Sequence, residues 1–148
     1  MAATHRSGTA SRAVYRSATP AERFARWTGA LYAGVAIVGF GLTGITDPMA
    51  TSGHQLGILE VNPLHNLLHL LVGLGLLVGG SAGPGPARTL ALLTAASFGV
   101  AGLFGIALVG TDANVLALNH ADNLVHLATA VIAGACVVAS PSERGARS

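Results

Sequence analysis

The sequence predicts an all-α membrane protein, a four-helix transmembrane bundle built from two parallel helical-hairpin repeats. Three observations carry this. Only 9% of the 148 residues are charged while 51% are hydrophobic, against about a quarter charged in a soluble domain. Such a chain cannot cover its surface with polar groups, so lipid is the better solvent. Four segments are long and apolar enough to cross a hydrocarbon core of about 30 Å. A short polar motif occurs twice, each time at the start of an apolar run.

Each element follows from local chemistry. Residues 1–19 read as a disordered basic cytoplasmic tail, and 20–140 as the four-span domain. Thr19-Pro20-Ala21-Glu22 is a capping box with Pro at the first helical position. The first helix therefore starts near Pro20, with its first two turns overhanging the membrane and a span over 27–46. Arg23, Arg26 and Trp27 fall at headgroup level, where such residues are favoured. Asp47-Pro48 ends that helix. Loop 48–61 has room for a short interfacial helix. Asn62-Pro63 caps and opens the second span, 63–80. Gly79 to Pro86 (GGSAGPGP) reads as a breaker-rich turn, followed by the third span, 88–110. Asn119 caps the fourth span, 120–139, and places Asp122 in its first turn, where the helix dipole favours a carboxylate. Residues 141–148 form a second cytoplasmic tail.

A cleaved signal does not explain the first apolar run. It is longer than the roughly 7–15 residues of a signal-peptide core. Nor does a soluble bundle explain the chain. Trp27 to Ile45 carries no charge on any face, and a soluble helix needs a polar face.

Orientation follows from arginine. All the basic residues are Arg, and they lie at 6, 12, 16, 23, 26, 88, 144 and 147. Loops 47–61 and 111–119 hold none and carry Asp47, Glu60 and Asp112 instead. The positive-inside rule therefore places both termini and the 80–88 turn in the cytoplasm of a plasma membrane. The absence of Lys, with abundant Ala and Gly, points to a high-GC bacterial genome. The Arg-rich tail can also touch anionic lipid. It lacks the aromatic pattern of a nucleic-acid binder. The single cysteine, Cys136, excludes an internal disulfide and reads as a small core residue.

The repeated motif aligns without gaps. Asn62-Pro63-Leu64-His65-Asn66-Leu67-Leu68-His69-Leu70 matches Asn119-His120-Ala121-Asp122-Asn123-Leu124-Val125-His126-Leu127. Upstream, Phe40-Gly41 and Thr46-Asp47 echo Phe104-Gly105 and Thr111-Asp112, one residue out of step. The repeating unit is thus helix, outer loop, helix, and two spans per unit make the copies parallel. With these residues the chain resembles a bacterial membrane family, domain of unknown function 4383, from about Trp27 to Ala139. The resemblance implies four spans and no established activity.

Asn62, His65, Asn66 and His69 fall within about 100° of helical arc, as do Asn119, Asp122, Asn123 and His126. Each helix therefore shows one polar stripe, continued by Gly73 and Ala130. Polar groups at membrane depth face the bundle interior, so the two stripes are expected to meet near the outer leaflet. The leading reading is structural: Asn and His hold the helices together, with Asn62 and Asn119 as caps. The alternative is a divalent-metal site of His65, His69, Asp122 and His126, because pairs four apart share a helical face and His/carboxylate sets suit zinc, copper or iron. His54, His120, Glu60, Asp47 and Asp112 in the outer loops could feed it. A b-type haem between His69 and His126 is a further reading, since no CxxCH is present. An oligomeric transporter or proton relay is another, as intramembrane ionisable groups mark ion paths. An enzyme is the lesser expectation, with no nucleophile triad or phosphate loop. Ala30-xxx-Gly34, Ala101-xxx-Gly105 and Ala130-xxx-Gly134 are small-xxx-small signals, assigned to packing within the bundle rather than to a homo-oligomer.

Overall fold

The computed structural model describes residues 16–141; the Arg positions of both tails other than Arg16 lie outside them. Four helices run up and down: α1 (Pro20–Thr43), α2 (Pro63–Ala82), α3 (Pro84–Leu108) and α4 (His120–Ala139). A two-stranded hairpin, β1 (His54–Leu56) and β2 (Leu59–Val61), joins α1 to α2. It pairs antiparallel with His54 opposite Val61 and Leu56 opposite Leu59. Gly57 turns it with φ of 66°, a left-handed value that glycine adopts without a Cβ clash. Loop 48–61 is thus a strand hairpin and not the interfacial helix its length allowed.

The caps form as the sequence directs. Thr19 and Glu22 make a complete capping box. Asn62 accepts from the His65 amide, and Asn119 with Asp122 makes a second capping box. Two boundaries differ from expectation. α1 ends at Thr43, where Gly44 takes a φ of 61°. α2 runs through the glycine-rich stretch to Ala82, and only Gly83 separates it from α3. Pro84 and Pro86 lie in the first turn of α3, where a missing N–H costs no intrahelical bond.

α2, α3 and α4 are long and apolar enough to cross a membrane. α1 has the length but opens with Glu22, Arg23 and Arg26. The distribution of side chains is inverted relative to a soluble protein. Leu31, Ile37, Val78, Leu103, Leu124 and Val138 are exposed, whereas Asn66, Asn123, His65 and Asp122 are at most 2% exposed. So wide an apolar exterior fits contact with lipid, and small residues inside allow close helix approach.

Helices pair as α1 with α2 and α3 with α4, with less contact between the pairs. Gly29 and Gly73 meet so closely that a Cβ on Gly73 would lie 2.6 Å from the Ala33 nitrogen. Further along, Asn66 fills the space beside Gly39, and in the other pair Asn123 fills the space beside Gly105. Gly39, rather than Gly41, thus makes in this pair the kind of contact that Gly105 makes in the other. Two of the three small-xxx-small signals do not pack: a Cβ on Gly34 or Gly134 would meet nothing within 4 Å. The buried face of α1 runs instead through Ala25, Gly29, Ala33, Ala36 and Gly39, one position off the predicted stripe.

At the end away from the hairpin, Ala21, Phe24, Ala25, Leu76, Ala87, Ala91, Ala133 and Val137 form an apolar core. It is pinned by three polar contacts. Ser140 Oγ accepts from the Ala21 amide at 2.9 Å. Arg26 Nε donates to the Gly80 carbonyl at 2.8 Å. Arg16 pairs with Glu22 at 2.7 Å.

Candidate metal centre

The polar residues of α2 and α4 lie near the hairpin end. His65 is the third residue of α2 and His69 the seventh, one turn deeper on the same face; His126 is the seventh of α4. At 1.5 Å per residue, His69 and His126 sit at one level, about 9 Å inside their helix starts. The three rings converge. Nε2 of His65 lies 3.2 Å from Nε2 of His69, and Nε2 of His69 lies 3.3 Å from Nε2 of His126. All three nitrogens fall within 4.8 Å of one another, and all three residues are buried.

The sequence placed eight residues on two facing stripes, and the structure divides them by task. The histidines meet between the helix pairs. Asn66 instead points back into its own pair, donating from Nδ2 to Thr43 Oγ1 at 3.0 Å. Asn123 points towards Gly105. The caps act as latches. Asn62 donates from Nδ2 to the carbonyls of Ala50 and Val115, each at 2.8 Å. Asn119 donates to the Ile58 carbonyl at 2.9 Å.

Asp122 is not part of the imidazole cluster. Its Oδ2 accepts from the Asn119 amide at 2.9 Å and from the Glu60 amide at 3.1 Å, tying the hairpin to α4. Of the loop residues expected to feed the site, His54, His120, Asp47 and Asp112 are exposed. Glu60 is spent on the Gly53 amide at 2.6 Å.

Two residues that the stripe did not include complete the surroundings. Tyr32 of α1 tilts against His69 with ring centroids 4.7 Å apart. Its hydroxyl is hydrogen-bonded to Thr129 of α4 at 2.8 Å. Phe98 of α3 lies edge-on to His126 at 4.9 Å. A tyrosine hydroxyl inside an otherwise aliphatic span was the available sequence signal for Tyr32; Phe98 offered none.

The hydrogen-bond count at the cluster does not close. Three neutral imidazoles carry three N–H groups and three lone pairs. Two N–N contacts use part of this set, and no Nδ1 of the three makes a well-aligned hydrogen bond among the described residues, although the backbone of Glu60 and Leu116 lies against the His65 ring. Unpaired buried polar atoms cost about 1–3 kcal/mol each. What the arrangement offers chemically is three imidazole nitrogens gathered within 4.8 Å of one another.

The model of the family Domain of unknown function (DUF4383) matches residues 23–139, and the chain belongs to that family. No curated relative and no solved structure matches it.

Proposed function

We propose that this chain is a four-span membrane protein that binds a transition-metal ion, zinc, copper or iron, through Nε2 of His65, His69 and His126. The convergence of those three buried nitrogens carries the reading. A zinc–imidazole bond is about 2.0–2.1 Å. With nitrogens 3.2 and 3.3 Å apart, two of the three angles at such an ion are about 100–110°, near the tetrahedral value, and the third pair lies within 4.8 Å. Three protein nitrogens and one open position is the ligand count of a catalytic or carrier site, not of a closed structural one. The Asp122 carboxyl lines the same cleft as His69 and His126, with its Oδ2 bound to backbone amides.

The competing readings have less support. Packing alone does not account for three imidazoles set nose to nose, with successive Nε2 atoms 3.2 and 3.3 Å apart. Haem between His69 and His126 needs two axial bonds of about 2 Å with a macrocycle between them, wider than the 3.3 Å separation of their nitrogens. A transport path is opposed by the apolar core that fills the bundle beyond the histidines. The four-span architecture and the duplicated hairpin are supported by the apolar exterior of α1, with Leu31 62% and Ile37 65% exposed, and by the matching Gly39–Asn66 and Gly105–Asn123 contacts. On the arginine pattern, the hairpin end faces outward.

Metal analysis and an optical spectrum of detergent-purified protein test the proposal, beside a His65→Ala/His126→Ala variant. Stoichiometric metal, lost in the variant, is expected. A wild type that stays metal-free after repeated loading overturns it and leaves the histidines as packing residues.

A further inference from the structure

Two clefts open sideways from the histidine cluster, one on each seam between the helix pairs. The larger, about 280 Å³, lies between α1 and α4 and is lined by His69, His126, Asp122, Tyr32 and Thr129 among apolar residues. The smaller, about 190 Å³, lies between α2 and α3. Leu59 of β2 lines the larger cleft, so the hairpin covers its end. Its long side faces the apolar exterior, flanked by Leu31 and Ile132, which are 62% and 54% exposed.

From this geometry we infer that the α1/α4 cleft admits a membrane-dissolved phenol or quinol, whose hydroxyl head reaches the His69–His126 edge of the metal centre while its tail stays in lipid. The inference rests on the metal reading for the atom the head approaches, and on the cleft for the route.

The lining sets the ligand's chemistry. It contains no Arg or Lys, so a phosphate headgroup has no counter-charge. It contains the buried Asp122 carboxyl, so a fatty-acid carboxylate there would sit beside a second acidic group without a counter-charge. A neutral head remains, and it must carry hydrogen-bonding oxygen. Oδ2 of Asp122 is occupied by two amides, while Oδ1 accepts no hydrogen bond from the described residues and is available to an incoming O–H. Tyr32 and Thr129 share one hydrogen bond between two hydroxyls; two hydroxyl hydrogens serve one bond, so one is left to donate to the ligand's oxygen. Aromaticity follows from the walls. Phe24, Tyr32, His69 and His126 all line the cleft, and rings prefer edge-to-face neighbours. The size is sufficient, since an apolar cavity of about 150 Å³ already holds benzene. An aliphatic alcohol shares the hydroxyl chemistry but not the ring contacts.

The test uses full-length protein in phosphatidylcholine nanodiscs, loaded with cobalt(II) so that the metal's absorption bands report its ligands. An alkyl-substituted benzoquinol and a long-chain aliphatic alcohol are titrated separately, and binding is also followed by equilibrium partition. Ile132→Trp fills the lipid side of the cleft without touching a histidine. The benzoquinol is expected to shift the cobalt bands of the wild type. Its partition binding is expected to weaken about tenfold or more in Ile132→Trp, with the ligand-free cobalt spectrum unchanged. Cobalt uptake without a band shift, or equal quinol binding by wild type and Ile132→Trp, overturns the inference and leaves the metal reading intact. Tighter binding of the aliphatic alcohol than of the quinol overturns the aromatic assignment. No cobalt uptake overturns the metal reading and with it the contact to the metal, whereas the partition comparison still decides the route.

Discussion

The two asparagine wedges give a prediction whose size can be worked from the coordinates. A Cβ added to Gly39 would lie 2.6 Å from Cγ and 2.9 Å from Nδ2 of Asn66, and closer still to Oδ1, whereas real Cβ contacts are essentially never under 3.0 Å. In Gly39→Ala the amide must swing away or α1 and α2 must separate. Overpacking of this kind costs about 1–3 kcal/mol. Swinging away also breaks the Asn66–Thr43 hydrogen bond, worth about 0.6 kcal/mol and up to about 1.7 within a membrane. The expected loss is therefore about 2–4 kcal/mol. At Gly105 the added Cβ would meet Asn123 in the same way. There the amide has no hydrogen bond to lose, so Gly105→Ala should cost only about 1–3 kcal/mol. Reversible unfolding in mixed micelles with increasing dodecyl sulfate, followed by helical circular dichroism, measures both. Truncating Asn66 to Ala in the Gly39→Ala background should recover part of the loss, with a coupling energy of about 1–3 kcal/mol. If the two substitutions add to within about 0.5 kcal/mol, the amide is not wedged against Gly39 and the reasoning fails.

Two further predictions concern the other end of the molecule and its orientation. The Arg16 guanidinium, bonded to Glu22, holds that carboxyl down at about 2 against an ordinary 4.5, helped by the Thr19 amide. A depressed folded value contributes stability above the unfolded value, which is lost as pH falls from about 4.5 through about 2. Because Arg16 is exposed and the pair is screened, only part of that shift survives as stability. Arg16→Gln should raise the midpoint of acid unfolding, and an unchanged midpoint would contradict the assignment. For orientation, a cysteine at Ser52 in a Cys136→Ala background should react with a membrane-impermeant maleimide in intact cells, and one at Ser81 should not. The reverse pattern would invert the topology.

What could be read from the sequence was what depends on near neighbours in the chain. Thr19, Asn62 and Asn119 cap their helices because a cap needs only a side chain and an amide three residues on. The shared face of His65 and His69 follows from helical periodicity alone. Periodicity does not say which neighbour a buried residue meets. Asn66 and His69 belong to one stripe, yet one turns to α1 and the other to α4, because the stripe is wide enough to span two interfaces. Asp122 could be read equally as cap or ligand; its Oδ2 is committed to the cap. The strand hairpin is not legible in the sequence because three-residue strands leave too short a pattern to separate from a loop. Tyr32 and Phe98 reach the histidines from helices whose sequences carry no polar stripe, so only the tertiary packing reveals them.

The histidines are best understood by asking what the fold would lack without them. Each helix pair is already closed by its own glycine contact, Gly39 with Asn66 and Gly105 with Asn123. The two pairs are already joined above the histidines by Asn62 to Val115, Asn119 to Ile58 and Glu60 to Asp122. Below the hairpin they are joined again by Tyr32 to Thr129. Interhelical bonds of this kind contribute about 0.6 kcal/mol each in a membrane, whereas unpaired buried nitrogens cost more than that. Three imidazoles added for cohesion alone would thus weaken the assembly they were meant to hold. An ion held by all three Nε2 atoms would replace two weak N–N contacts by metal–nitrogen bonds strong enough to outweigh the Nδ1 atoms that stay unpaired, and the seam between the helix pairs is where such an ion can be reached from the side.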